Sequence, residues 1–164
     1  SCYFQATKRI NVYQGPISDF VRSEYYGIER CVKFYSAWHH NRHVPASLLL
    51  VRYEDMHANP QAALKSVLEF MSVRDVDSQM LDAAIEFGRF DNMKKLEATG
   101  HFKRQVLTPG NAKDGESFKV RRGKVGGYAD YLSPDDCRYL TTVIADAHCP
   151  LLDSYLQCAA KVAA

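Results

Sequence analysis

Only one stretch of this chain reads as a strand, and it limits the fold more than any other feature. Ser47-Leu48-Leu49-Leu50-Val51-Arg52-Tyr53 is a short apolar run, preceded by Pro45 and ended by Glu54-Asp55. An unbroken apolar run of this length predicts a strand buried on both faces, as in a parallel sheet. Asn59-Pro60 follows, a capping residue with Pro at the first helical position. Leu64, Val67, Leu68 and Met71 then mark one side of a helix. Strand, polar loop and capped helix make half of a βα layer unit.

The other periodic segments are helical. Gln14-Gly15-Pro16 is a turn signal, after which Ser18 can cap a short helix with Asp19 in its first turn. Ile28, Val32, Tyr35 and Trp38 then predict a core-facing stripe. A helix over residues 78–87 would turn Met80 or Leu81, Ala84 and Ile85 inward. Gly88-Arg89 interrupts it, and Phe90, Met93 and Leu96 continue at helical spacing to a stop at Gly100. By pattern alone that last series is core. Ser133-Pro134-Asp135-Asp136 is a helix start with a cap, Pro and two acids against the dipole, and Leu140, Val143, Ile144 and Ala147 form its buried side. Residues 101–117 read as a mobile loop, and residues 149–164 as a weakly helical C-terminal tail.

Residues 118–128 carry the densest chemistry. Lys119, Arg121, Arg122 and Lys124 fall there with Gly123, Gly126 and Gly127 among them. Adjacent arginines offer planar donor forks that match phosphate or sulfate, and glycine lets the backbone approach an anion closely. A solvated basic turn accounts for the same residues equally well.

With 164 residues, 46% of them hydrophobic, the chain suffices for one domain with a core. A net charge of +2 argues against general nucleic-acid binding, so any anion site is local. No apolar run approaches a membrane span. Five cysteines, scattered and without a Cys-x-x-Cys pair, make a poor zinc site and a poor disulfide framework. They suggest a reducing, cytoplasmic setting with mostly buried thiols. His39 and His43 lie one helical turn apart, but no carboxylate or thiol nearby offers a third ligand, so a polar helix end is expected rather than a metal.

Three segments, in order, resemble sulfotransferases that use 3′-phosphoadenosine 5′-phosphosulfate (PAPS). Arg121-Arg122-Gly123-Lys124-Val125-Gly126-Gly127-Tyr128 resembles the family's Arg-Lys-Gly-x-x-Gly-Asp-Trp segment, which binds the 3′-phosphate. Tyr53-Glu54-Asp55-Met56 resembles the Tyr-Glu-Asp-Met end of a buried strand, whose Tyr contacts the nucleotide. Phe90 and Met93 match a Thr-Ser-Phe-x-x-Met segment whose Phe packs on the adenine. Gly88 stands where that segment has its Thr, which removes a hydroxyl hydrogen bond of about 1 kcal/mol. Ser1-Cys2-Tyr3-Phe4 is similar to a Val-Ser-Tyr-Tyr helix whose Ser also binds the 3′-phosphate.

The resemblance implies an α/β fold, the C-terminal portion of a parallel sheet like that of the P-loop nucleotide kinases, mostly helical in this fragment. Residues 1–164 would be one partial sulfotransferase domain, with the upstream part cut away before Ser1. The implied reaction moves a sulfuryl group from PAPS to a hydroxyl or amine of a small-molecule acceptor, without a metal. The nucleotide-binding residues it implies are Arg121, Arg122, Gly123, Tyr53, Phe90, Met93 and Ser1. The family's phosphosulfate loop and base have no counterpart in this sequence, so no catalytic residue is assigned, and the chain alone is expected to be inactive and to self-associate through apolar surface. Other readings of the basic loop are a noncatalytic nucleotide- or anion-binding module and a helical interaction domain.

Overall fold

A computed structural model describes residues 1–103 and 107–160, the last four by backbone only. In chain order its α-helices are α1 (Cys2–Phe4), α2 (Ile17–Arg22), α3 (Ile28–His40), α4 (Tyr53–Ala58), α5 (Pro60–Phe70), α6 (Ser78–Phe87), α7 (Phe90–Ala98), α8 (Pro134–Asp146) and α9 (Asp153–Ala160). A π-helical turn, Gln5–Arg9, continues α1. The chain divides into two compact units. One comprises Ser1–Tyr3, Val12–Leu48 and Gly126–Ala164, the other Phe4–Asn11 and Leu49–Val125.

In the first unit α3 packs on α8 and on the short turn Pro150–Leu152, and α2 lies against both α3 and α8. The Phe20 ring is buried. Around it stand Tyr3, Tyr13 and Tyr26, with centroids 5.5, 5.1 and 5.3 Å away. Offset and edge-on pairs of this kind add to the area they bury. α8 begins as its sequence predicts. Ser133 and Asp136 form a reciprocal capping box, with Pro134 at the first position.

In the second unit α4 packs on α5, α5 on α6, and α6 on α7. Asn59 Oδ1 accepts from the Ala62 N–H at 3.0 Å, and Pro60 opens α5. Asp77 does the same for α6, accepting from Met80 N–H at 2.7 Å. Each such cap contributes about 1 kcal/mol. α7 ends where expected: Gly100 has φ of +66°, and the His101 N–H donates to Leu96 O at 3.0 Å.

Several expectations are corrected. Leu48 to Val51 do not form a strand, and no strand occurs among the described residues. A strand exists by pairing its N–H and C=O groups with a neighbour, and these residues hold no second run to pair with. Leu48 and Leu50 are 46% and 48% exposed. The expectation that this part of the α/β fold is mostly helical holds, while the one strand expected of it is not found. Trp38, Met71 and Met80 are exposed rather than core. Ser18 does not cap α2, which begins after Pro16; its hydroxyl donates to Asp136 instead, at 2.7 Å. Cys2 and Cys31 are exposed, Cys137 is half-buried and Cys149 is buried, so the four described thiols are not mostly inside; the side chain of Cys158 lies outside the described residues.

Candidate functional site

The basic segment is held from behind by a carboxylate. Glu97, in the last turn of α7, is 2% exposed. Its Oε1 accepts from the backbone N–H of Lys119 at 2.6 Å, and its Oε2 from that of Val120 at 2.7 Å. The guanidinium of Arg9 donates to the same Oε1 at 3.1 Å and to the carbonyl of Ser117 at 3.2 Å. Arg9 is itself nearly buried, with 7% of its side chain exposed. A buried charge is stable only when paired and hydrogen-bonded, and here both partners meet that condition.

The approach to the segment is built around Ser117. Its hydroxyl accepts from the Asn111 N–H at 2.9 Å and lies 2.6 Å from Asn111 O and 2.8 Å from Asp114 O. Gly110 passes so close to the carbonyl of Lys8 that a Cβ there would collide with it. Within the stretch read as a mobile loop, these local bonds join residues 110 to 117, while residues 104–106 lie outside the described residues.

Past Val120 the side chains diverge. Arg121 Nη1 donates to Glu116 Oε2 at 2.6 Å, and its guanidinium carbon lies 3.9 Å from the centre of the Phe4 ring. Only 16% of the Arg121 side chain is exposed. Arg122, Gly123 and Lys124 are exposed. Gly123 has φ of +58°, and a Cβ built on it would fall 2.5 Å from Phe90 Cδ2. Phe90 opens α7 and is half-buried, with Met93 one turn on. Lys94 Nζ lies 5.5 Å from the Phe90 ring centre and 5.9 Å from that of Phe118.

Among the sequence-predicted residues, Arg121, Arg122, Gly123, Phe90 and Met93 come from two distant segments that meet at Gly123 and Phe90. Tyr53 does not join them by a ring contact; it opens α4, 47% exposed, with its ring 4.4 Å from that of His57. Ser1 belongs to the first unit, and the other predicted residues to the second. Glu97, Arg9 and Glu116 were missed. Glu97 had a signal: it falls at i+7 from Phe90 and i+4 from Met93, a charge on the apolar face of α7. His40 Nδ1 bonds Ser36 O at 2.7 Å, and among the described residues no group of three His, Cys, Asp or Glu could hold a metal. No described helix is long and apolar enough to cross a membrane.

A family model described as the sulfotransferase domain matches residues 2–151. Cytosolic sulfotransferase 16 of Arabidopsis thaliana is 31% identical over 132 residues, covering 78% of this chain and 34% of that protein. Cytosolic sulfotransferase 13 of the same plant is 28% identical over 101 residues, 59% of this chain and 29% of that protein. Cytosolic sulfotransferase 17 is 30% identical over 95 residues, 56% of this chain and 27% of that protein. The matches thus span about a third or less of these relatives. No solved structure matches the chain at a significant level.

Proposed function

Because this chain belongs to the sulfotransferase domain family, we propose that it is part of a PAPS-dependent sulfotransferase and carries the 3′-phosphate and adenine side of the nucleotide site. The observation that carries the reading is the meeting of Gly123 with the Phe90 ring. It brings an aromatic platform against a basic loop whose backbone is bare of a Cβ at that point, a combination suited to an adenine nucleotide with a further phosphate. Arg121 and Arg122 would hold that phosphate, Gly123 would let the basic loop close onto the Phe90 ring, and Phe90 with Met93 would take the base. Tyr53 and Ser1 remain proposed contacts on the strength of the resemblance alone.

PAPS supplies the sulfuryl group, which passes to a hydroxyl or amine of a small-molecule acceptor. The residues of this chain bind and orient the nucleotide. The sequence contains neither a Gly-x-x-x-x-Gly-Lys nor a Lys-x-Gly-Thr motif, so the chain by itself is proposed to bind without transferring. The relatives' names carry the word cytosolic, which favours a cytoplasmic setting here too. Exposed Phe34, Trp38, Phe70, Met71 and Phe87 make self-association the expected state of the isolated chain.

The test is calorimetric titration with adenosine 3′,5′-bisphosphate and with adenosine 5′-monophosphate. The bisphosphate should bind more tightly by about tenfold or more, since a charge-assisted bond contributes roughly 1.5–3 kcal/mol. Arg121→Ala should erase that difference. Equal affinity for the two nucleotides in the folded protein would overturn the reading.

A further inference from the structure

We infer that Glu97 is the positioning residue of the basic loop, acting through the backbone rather than on the ligand. The inference rests on the nucleotide reading above and names how that site is held. Two successive N–H groups, of Lys119 and Val120, both end on this one carboxylate. Arg121 and Arg122 follow at once along the chain, so the direction in which they leave is set where Glu97 grips. The grip needs two acceptor oxygens, which an ionised carboxylate has and an amide does not.

A negative charge beneath an anion-binding loop would ordinarily weaken it. Arg9 resolves the conflict. Its guanidinium shares Oε1 with Lys119 N–H, so the buried pair is neutral overall while both acceptor oxygens stay available. Arg9 also donates to the carbonyl of Ser117, the residue that organises the approach. One buried ion pair thereby joins α7, the π-helical turn Gln5–Arg9 and the start of the basic loop.

Glu97→Gln separates positioning from simple charge. Removing a negative charge near a phosphate site should tighten phosphate binding if field alone matters. If Glu97 positions, the substitution turns an N–H donor toward the N–H of Val120 or Lys119, and binding weakens. The expected result is a loss of about tenfold in bisphosphate affinity, with monophosphate affinity little changed. Amide hydrogen exchange at Lys119 and Val120, followed by NMR, should speed up by a similar factor. Glu97→Asp, which keeps both oxygens on a shorter stem, should recover part of the discrimination.

Bisphosphate affinity unchanged or raised in Glu97→Gln would overturn the inference while leaving the nucleotide reading intact. Equal binding of the two nucleotides by the wild-type protein would bring down that reading and the role of Glu97 in it together. Should Glu97→Gln fail to fold, Arg9→Lys reads the same brace with no change of net charge. It should lose several-fold in discrimination because a lysine ammonium stops one bond short of Nη1, the nitrogen that donates to both Glu97 and Ser117, and an unaltered preference for the bisphosphate would equally count against the inference.

Discussion

Gly123 lies against the ring of Phe90 in a left-handed backbone conformation, φ +58°, with 2.5 Å between Phe90 Cδ2 and the place a Cβ would occupy. Two independent penalties therefore meet in Gly123→Ala. The left-handed conformation costs about 1–2 kcal/mol for a residue with a Cβ, and the methyl must also displace an aromatic ring. We expect the variant to lower the unfolding free energy by at least about 1 kcal/mol and to lose the preference for adenosine 3′,5′-bisphosphate. Chemical denaturation and titration calorimetry measure the two. A variant of unchanged stability would show that the Phe90 contact is not formed in solution.

Arg121 spends part of its fork on Glu116, at 2.6 Å. A phosphate arriving at this guanidinium competes with that carboxylate. Glu116→Gln should therefore raise bisphosphate affinity, by about three- to tenfold for the loss of one charge-assisted competitor. Stability should fall by less than about 1 kcal/mol, as for other partly exposed pairs. A drop in affinity instead would mean that Glu116 orients Arg121 for the ligand.

Gly88 stands where the family has a threonine, and its backbone needs no glycine. Its φ is −77°, and a Cβ would meet only the carbonyls of Ala84 at 3.4 Å and Ile85 at 3.6 Å. Gly88→Ser should leave stability within about 0.5 kcal/mol, as most surface changes do. If the hydroxyl reaches the base, both nucleotides should bind more tightly, by up to about tenfold, because both carry adenine. Tightening of the bisphosphate alone would place the base elsewhere.

Asp136 predicts the acid limb of stability. Burial favours its neutral form, but the Arg22 guanidinium, the hydroxyls of Ser18 and Ser133 and the Ser133 N–H outweigh burial and hold its pKa well below the carboxylate range. With the folded value depressed, its contribution is complete above the unfolded value, about 3.9. It is lost as pH falls from there toward the folded value. Thermal unfolding should show wild type well above Asp136→Asn at pH 7, with the two converging below about pH 3. A constant gap across that range would deny the linkage.

Much of the local structure was legible because it depends on neighbours along the chain. Asn59-Pro60, the Ser133-Pro134 start and Gly100 each act within one helical turn, and each is found where its residues stand. Phe90 and Met93 share a face of α7 for the same reason. The apparent strand at Leu48 to Val51 is not formed because an apolar run predicts burial between neighbouring strands, and among the described residues there is no strand for it to pair with. Ser18 does not act as a cap because its hydroxyl donates instead to Asp136, a partner 118 residues away.

The sequence by itself determined where α5 and α8 begin, where α7 stops and which residues could meet an anion, since capping, turn chemistry and charge are properties of short segments. Only the tertiary structure decided that Glu97 is an interior carboxylate rather than a surface one, that Arg9 neutralises it, and that Gly123 gives its missing Cβ to the Phe90 ring. Those facts depend on contacts between segments 88, 22 and 33 residues apart. No local rule reaches that far; a buried charge is tolerated only where folding delivers its partners from elsewhere in the chain.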